Sequence, residues 1–204
     1  ITTQRDSMIH LDREGNPLRP ALLWLDQRKA APVYHPRGLT RLVYSLVGMK
    51  EAIYKTQVDG KGNWVRQYEP ETWEKTCKYA QVSGFLNRRL TGEFKDSAAS
   101  QIGHIPFNYK KTRWAKQTEL NRYLFPVEED KLVDLVEPGE VIGTVTPWAA
   151  ERTGIPKGLP VIACGSDKGC ETLGVGVLDT SMASLSFGTT ATVQTTSGRY
   201  FEPL

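Results

Sequence analysis

The sequence predicts an α/β fold. Short apolar, partly β-branched runs alternate with helical patterns along the chain, and no internal repeat or low-complexity stretch interrupts them. In residues 161–177, VIACGSDKGCETLGVGV, a strand pattern runs directly into a glycine-studded helical one. There, 161–164 read as a buried strand and 168–177 as a helix packed closely on a neighbour, with glycines at 169, 174 and 176. Asp167 falls at the carboxyl end of the strand and the amino end of the helix. In open α/β sheets ligands bind at that edge. The alternative is a plain helix cap, a position Asp favours.

The other elements follow in order. Residues 7–11 and 21–25 read as strands flanking a turn-forming DREGNP stretch. Residues 39–47 have helical spacing, and Gly60-Lys61-Gly62 reads as a break before Trp64, Val65 and Tyr68. Residues 70–90 form the best amphipathic helix pattern, with Trp73, Cys77, Ala80 and Phe85 on one face and Gly92 as the C-terminal cap. Residues 96–100 look like a new helix start, 106–113 a loop and 114–124 a helix, followed by loop and short strand up to Val145. Thr146 caps a short helix with Pro147 in its first position and Gly154 at its close. The tail reads as a hairpin, with Leu185, Phe187, Ala191 and Val193 around Gly188-Thr189-Thr190.

Composition narrows the class. The chain has 204 residues, 39% hydrophobic and 24% charged, which suits a soluble protein with a real core. A net charge of +3 without a basic tract gives no footing for nucleic acid. The pairs Arg88-Arg89 and Lys110-Lys111 read as solvated faces. Cysteines 77, 164 and 170 form no CxxC pair and lie far in sequence from histidines 10, 35 and 104, except that two of them flank Asp167. That count argues against zinc and fits a reducing compartment. No apolar run approaches membrane-spanning length and no signal peptide is evident. Both ends read as cut, so the chain is expected to be a fragment.

Several polar residues are candidates for chemistry. Arg5 beside Asp6 can bind polyol hydroxyls, the guanidinium donating and the carboxylate accepting, or can be a surface ion pair. Trp24 can wall a sugar's C–H face or simply pack at a boundary. Asp26 and Arg28 read as structural partners, and Asp96 is a further polar residue to place. Gly188-Thr189 is a phosphate-binding candidate or an ordinary hairpin turn. The chain carries no Walker loop, its GVGVLD is not a dinucleotide fingerprint, and no histidine stands in context to activate a serine or cysteine.

Four blocks in order, ITTQRDSMIHLDREGNPLRPALLWLDQR, RRLTGEFKDSAAS, GTVTPWAAERTGIPKGLPVIACGSDKGCETLGVGV and SLSFGTTATV, resemble the FGGY carbohydrate kinases, which include glycerol kinase and xylulokinase. The resemblance covers nearly the whole chain. It implies an actin-like ATPase fold, with a ribonuclease-H-like core in each of two domains and the cleft between them binding ATP and sugar. Residues 1–178 then correspond to the later part of the N-terminal sugar-binding domain, and 179–204 to the first strands of the C-terminal ATP-binding domain.

The resemblance also implies residue roles. Asp167, in the GxD block, is the catalytic base. Arg5 and Asp6 contact substrate hydroxyls, Trp24 lines the sugar site, Lys168 adds a charge beside the substrate, and Gly188 and Thr189 reach the nucleotide phosphates. ATP and Mg2+ are the implied cofactors, with no metal ligand assigned in this chain. The implied partner is a small sugar or polyol, with no nucleic acid or membrane, in a cytoplasmic protein that is often a homo-oligomer. Three departures point away from glycerol. Asp6 is one methylene shorter than the usual glutamate, Lys168 replaces glutamine, and Thr192 stands where glycerol kinases have an aromatic wall. A cationic Lys168 suits a sugar acid as well as a neutral polyol. The family's DxGT phosphate loop and adenosine site are absent, so this chain alone is expected to be inactive. A different reading is a non-catalytic carbohydrate-binding regulatory module derived from such a kinase.

Overall fold

The computed structural model describes residues 1–188 and 191–201. Thr189, one of the two residues expected to reach phosphate, lies outside them. The first strand, β1 (Met8–Leu11), is buried along its whole length. Met8 faces a core of Leu22, Val65, Trp73, Tyr79 and Phe107, while Ile9 and Leu11 pack against Ala80 and Val133. A strand covered on both faces reads as a continuous apolar run rather than an alternating one. The expected second strand at 21–25 is reduced to one bridge, Leu22 to Met8. Pro20 has no N–H for a ladder, and the Trp24 N–H donates to Ser7 Oγ at 3.2 Å instead.

Four helices follow: α1 (Gly38–Leu46), α2 (Met49–Val58), α3 (Lys61–Tyr68) and α4 (Pro70–Lys75). The break expected at Gly60 separates α2 from α3, and α3 then runs through Lys61 and Gly62. The amphipathic pattern over 70–90 is two helices, not one. Thr76 turns extended, β2 (Lys78–Gln81) pairs antiparallel with β1, and only then does α5 (Val82–Thr91) begin. Tyr79, Ala80 and Gln81 are buried in that pairing, so partnering β1 overrides the helical periodicity. Gly92 closes α5 at φ 81°, as its position predicts.

Residues 96–100 also depart from expectation. Asp96 and Ser97 belong to β3 (Lys95–Ser97), parallel to β6 (Asp134–Val136), and a single 3-10 turn follows, capped by Ser97 accepting from the Ala99 N–H. Trp114 does not start a helix. It lies in β5 (Arg113–Trp114), antiparallel to β4 (Phe107–Asn108), with its indole N–H donating to Val133 O at 2.8 Å. The helix there, α6, is confined to Leu120–Leu124.

The last part carries the catalytic candidate. β7 (Val141–Thr144) pairs antiparallel with β8 (Pro160–Ile162), and between them α7 (Pro147–Thr153) is capped by Thr146 and closed by Gly154 at φ 74°. Residues 163–166 lead from β8 into α8 (Asp167–Gly174), shorter than the expected 168–177. A hairpin of β9 (Ala183–Phe187) and β10 (Ala191–Thr195) follows. The chain is thus α/β, as the sequence predicts.

Candidate functional site

The helix cap at α8 is Ser166, whose hydroxyl accepts from the Gly169 N–H. Asp167 is therefore not the cap but the first helical residue, where the helix dipole favours a negative charge. Three bonds hold this turn in place. The Asp167 N–H donates to Thr3 O at 3.1 Å, Thr2 Oγ1 donates to Gly165 O at 2.9 Å, and Ser100 Oγ donates to Cys164 O at 3.2 Å. Asp167 Oδ1 accepts from the Lys168 N–H at 2.7 Å, while Oδ2 has no hydrogen-bond partner among the described residues.

A cavity of about 500 Å³ opens in front of Asp167. Arg5, Asp6, Trp24 and Lys168 line it together with Asp167, so three segments distant in sequence share one space, joined by Thr192 from β10. Arg5 is exposed and makes no hydrogen bond or ion pair among the described residues. Trp24 is 46% exposed, with its backbone held by Ser7. Lys168 is already engaged: its ammonium donates to Glu171 Oε2 at 2.6 Å and to Ser186 Oγ at 3.2 Å. The Lys168 bond holds the Glu171 carboxyl below its usual range, helped by Ser186. Those contacts, with Thr172 donating to Gln194 Oε1 at 2.6 Å, dock the hairpin on α8.

Four wall residues escape the sequence reading: Gln4 beside Arg5, and the consecutive run Ile102, Gly103 and His104. Behind them, Lys61 is 6% exposed and donates to Asp6 Oδ2 at 2.5 Å. Gln81 accepts from the Asp6 N–H at 3.1 Å and donates to Ile102 O at 3.0 Å, clamping the two segments. Burial opposes charge on Asp6, but the hydrogen bonds and charges of His104 and Lys61 outweigh it and hold the carboxyl below its usual range. No short motif announces these residues. Lys61 sits in what reads as a glycine break, and His104 in what reads as loop.

Asp96, weighed in the sequence, is 1% exposed and does not reach the cavity. Its carboxylate accepts from Ser83, Asn87, Gln101 and the Ser97 N–H, and burial pushes its pKa up despite those bonds. It anchors the turn that carries Ser100 and the 102–104 wall. Asp26 and Arg28 pair at 2.5 Å, as expected of structural partners.

The sequence matches the FGGY family of carbohydrate kinases, N-terminal domain, over residues 1–174. The chain belongs to the FGGY family. It is 44% identical over 179 residues to the sugar kinase YgcE of Escherichia coli K12, which carries the description uncharacterized; the match covers 88% of this chain and 29% of that protein. It is 29% identical over 201 residues to the xylulose kinase of the same organism, covering 98% of this chain and 39% of the relative. In structure it resembles the gluconate kinase of Lactobacillus acidophilus with a TM-score of 0.73 and 22% identity, over 95% of this chain and 39% of that one. The chain therefore spans 29% and 39% of the length of the two sequence relatives named.

FGGY kinases imply ATP and Mg2+, and two features here suit them. Gly188, directly after β9, is exposed with nothing within 4 Å of where a Cβ would stand, so a phosphate can approach its backbone. Asp167, which lines the cavity, keeps an unengaged carboxylate oxygen, Oδ2. Among the described residues no cluster of three His, Cys, Asp or Glu side chains is placed to hold a metal ion. Among the described residues no helix is long and apolar enough to cross a membrane.

Proposed function

We propose that this chain is the sugar-binding part of an ATP-dependent carbohydrate kinase, acting on a hydroxyl of a polyol, ketose or sugar acid with Asp167 as general base. Residues 1–178 belong to the later N-terminal domain and 179–204 to the first strands of the ATP-binding domain, in a cytoplasmic enzyme. One observation carries the reading: Asp167, with an unengaged oxygen, shares its cavity with Arg5 and Trp24. The kinship with xylulose kinase and L-fuculokinase supports a sugar as substrate.

The chemistry suits these residues. Phosphoryl transfer needs alignment and charge neutralisation more than covalent help. ATP with Mg2+, when bound, supplies the phosphoryl group, and Gly188 and Thr189 are the residues of this chain proposed to meet its phosphates. Arg5 donates to substrate oxygens, and the Trp24 ring covers the apolar C–H face. Asp167 Oδ2 takes the proton of the hydroxyl as that oxygen is phosphorylated. Lys168, held by Glu171 and Ser186, keeps α8 and the hairpin together beside the substrate.

The test is coupled ATP-to-ADP turnover by the full-length protein over polyols, ketoses and sugar acids, with Asp167→Asn alongside. Loss of a general base is expected to lower kcat by about 10²–10⁴-fold while sugar binding persists. Sugar binding without ATP turnover in the wild type would replace the kinase with a carbohydrate-binding regulatory module.

A further inference from the structure

Asp6 is heavily engaged by the protein itself. Its Oδ1 accepts from the His104 backbone N–H at 3.1 Å, and its Oδ2 takes both the Lys61 ammonium at 2.5 Å and His104 Nδ1 at 3.0 Å. The backbone is committed too. Asp6 stands at φ 53°, a left-handed conformation uncommon outside glycine, with its N–H shared between Ile102 O and Gln81 Oε1. Gly103 is required for this fit: at φ 145°, a Cβ there would lie 2.5 Å from Asp6 Oδ1. The carboxylate thus accepts three hydrogen bonds from within the protein, one on Oδ1 and two on Oδ2.

His104 is the group this arrangement presents. An ionised carboxylate only accepts hydrogen bonds, so Nδ1 must carry the proton that faces Asp6. In the neutral ring Nε2 is then an acceptor. His104 lines the cavity with a side chain 31% exposed, set edge-on to Phe125 at 6.0 Å, and its Nε2 has no hydrogen-bond partner among the described residues.

We infer that His104 contacts the substrate, its Nε2 accepting a hydrogen bond from a sugar hydroxyl, and that Asp6 is a positioning residue acting through His104 with Lys61 as its fixed counter-charge. The inference rests on the sugar-kinase reading and refines its specificity. A hydroxyl satisfies Nε2, whereas a carbonyl or carboxylate oxygen at that point meets a lone pair with the Asp6 charge behind it. A substrate carboxylate is therefore steered away from His104 and toward Arg5, the unpaired cation of the cavity wall among the described residues.

The experiment measures kcat and KM of the full-length wild type, His104→Phe and His104→Gln with whichever of xylulose, L-fuculose, gluconate and glycerol the wild type phosphorylates. Long-range 1H–15N spectra of the His104 ring accompany it, with and without sugar. His104→Phe keeps the ring shape and is expected to raise KM about tenfold with kcat nearly unchanged, the loss of one hydrogen bond to a group left unsatisfied. His104→Gln, which restores a polar end, is expected to recover much of that loss. The spectra should show the Nδ1–H tautomer, with Nε2 shifting on sugar addition. An unchanged KM in both variants, a lowered kcat at constant KM, or an Nε2–H ring overturns the inference while leaving the kinase reading intact. A wild type that phosphorylates none of the four sugars overturns both.

Discussion

The two sides of the cavity are built differently. On one side, Asp6, Lys61, Gln81 and residues 102–104 form a wall in which almost every polar atom is already bonded to another part of the wall. On the other, Asp167 and the hairpin after α8 leave an oxygen unengaged and much of their surface open, with Phe187 80% and Val193 71% exposed. A saturated polar network in a low-dielectric setting is rigid and costly to leave half satisfied. An unengaged carboxylate oxygen at a helix start is open to a ligand. On the proposed kinase reading, the contrast separates two tasks: one side orients the sugar and the other carries out the transfer.

Acid tests that contrast most severely. His10 lies on β1, a few residues past Asp6, fully buried beside Trp73 and Tyr79 with neither ring nitrogen bonded. Burial, with a smaller push from Arg19, lowers its pKa from 6.5 to about 3. Between those values the unfolded chain takes up a proton that the folded chain refuses, so stability falls as pH falls. The slope approaches about 1.4 kcal/mol per pH unit, on the order of 5 kcal/mol across the window. Urea unfolding from pH 7 to pH 4 should show this loss in the wild type and a flatter profile in His10→Leu. Equal profiles would mean that β1 is not the acid-labile support of the saturated wall.

Removing the counter-charge comes next. Lys61→Met leaves the Asp6 carboxylate with His104 alone, and breaking a buried pair from one side costs about 3–5 kcal/mol. Because Asp6 is partly exposed, the lower end is expected, read as a fall in the urea midpoint with unchanged slope. A loss below about 1 kcal/mol would show that the wall is not held by this pair.

The smallest effect belongs to the open side. Ser166→Ala removes the cap of α8 and is expected to cost about 1 kcal/mol of stability. It should also lower kcat more than it raises KM, since it loosens the turn that aims Asp167. A change in KM alone would place Ser166 with the sugar-orienting wall instead.

Much of the fold was legible from local chemistry. The cap, proline and glycine of α7, the glycine closing α5, the strand-to-helix junction before Asp167 and the final hairpin all follow from residues within one turn of each other. Misreadings arose where distant partners compete with local pattern. Residues 78–81 have helical spacing with their neighbours but are drawn into a ladder with β1. Trp114 looks like a helix start until its indole finds Val133 O. The candidate site divides the same way. Arg5, Asp6, Trp24, Asp167 and Lys168 were named from motif order, and the structure places all five on one cavity. Lys61, Gln81, Gly103 and His104 were not, because their meaning lies in contacts that span 21 to 98 residues of chain.

By itself, then, the sequence determined the alternation of elements, the helix ends and the motif order that marks an FGGY kinase, because these depend on neighbours along the chain. The tertiary structure decided that Ser166 rather than Asp167 caps α8. It also decided that Asp6, on the cavity wall, is bonded to Lys61 and His104. Which donors and acceptors remain unpaired is set by three-dimensional proximity, and a residue's chemistry is what its partners leave over.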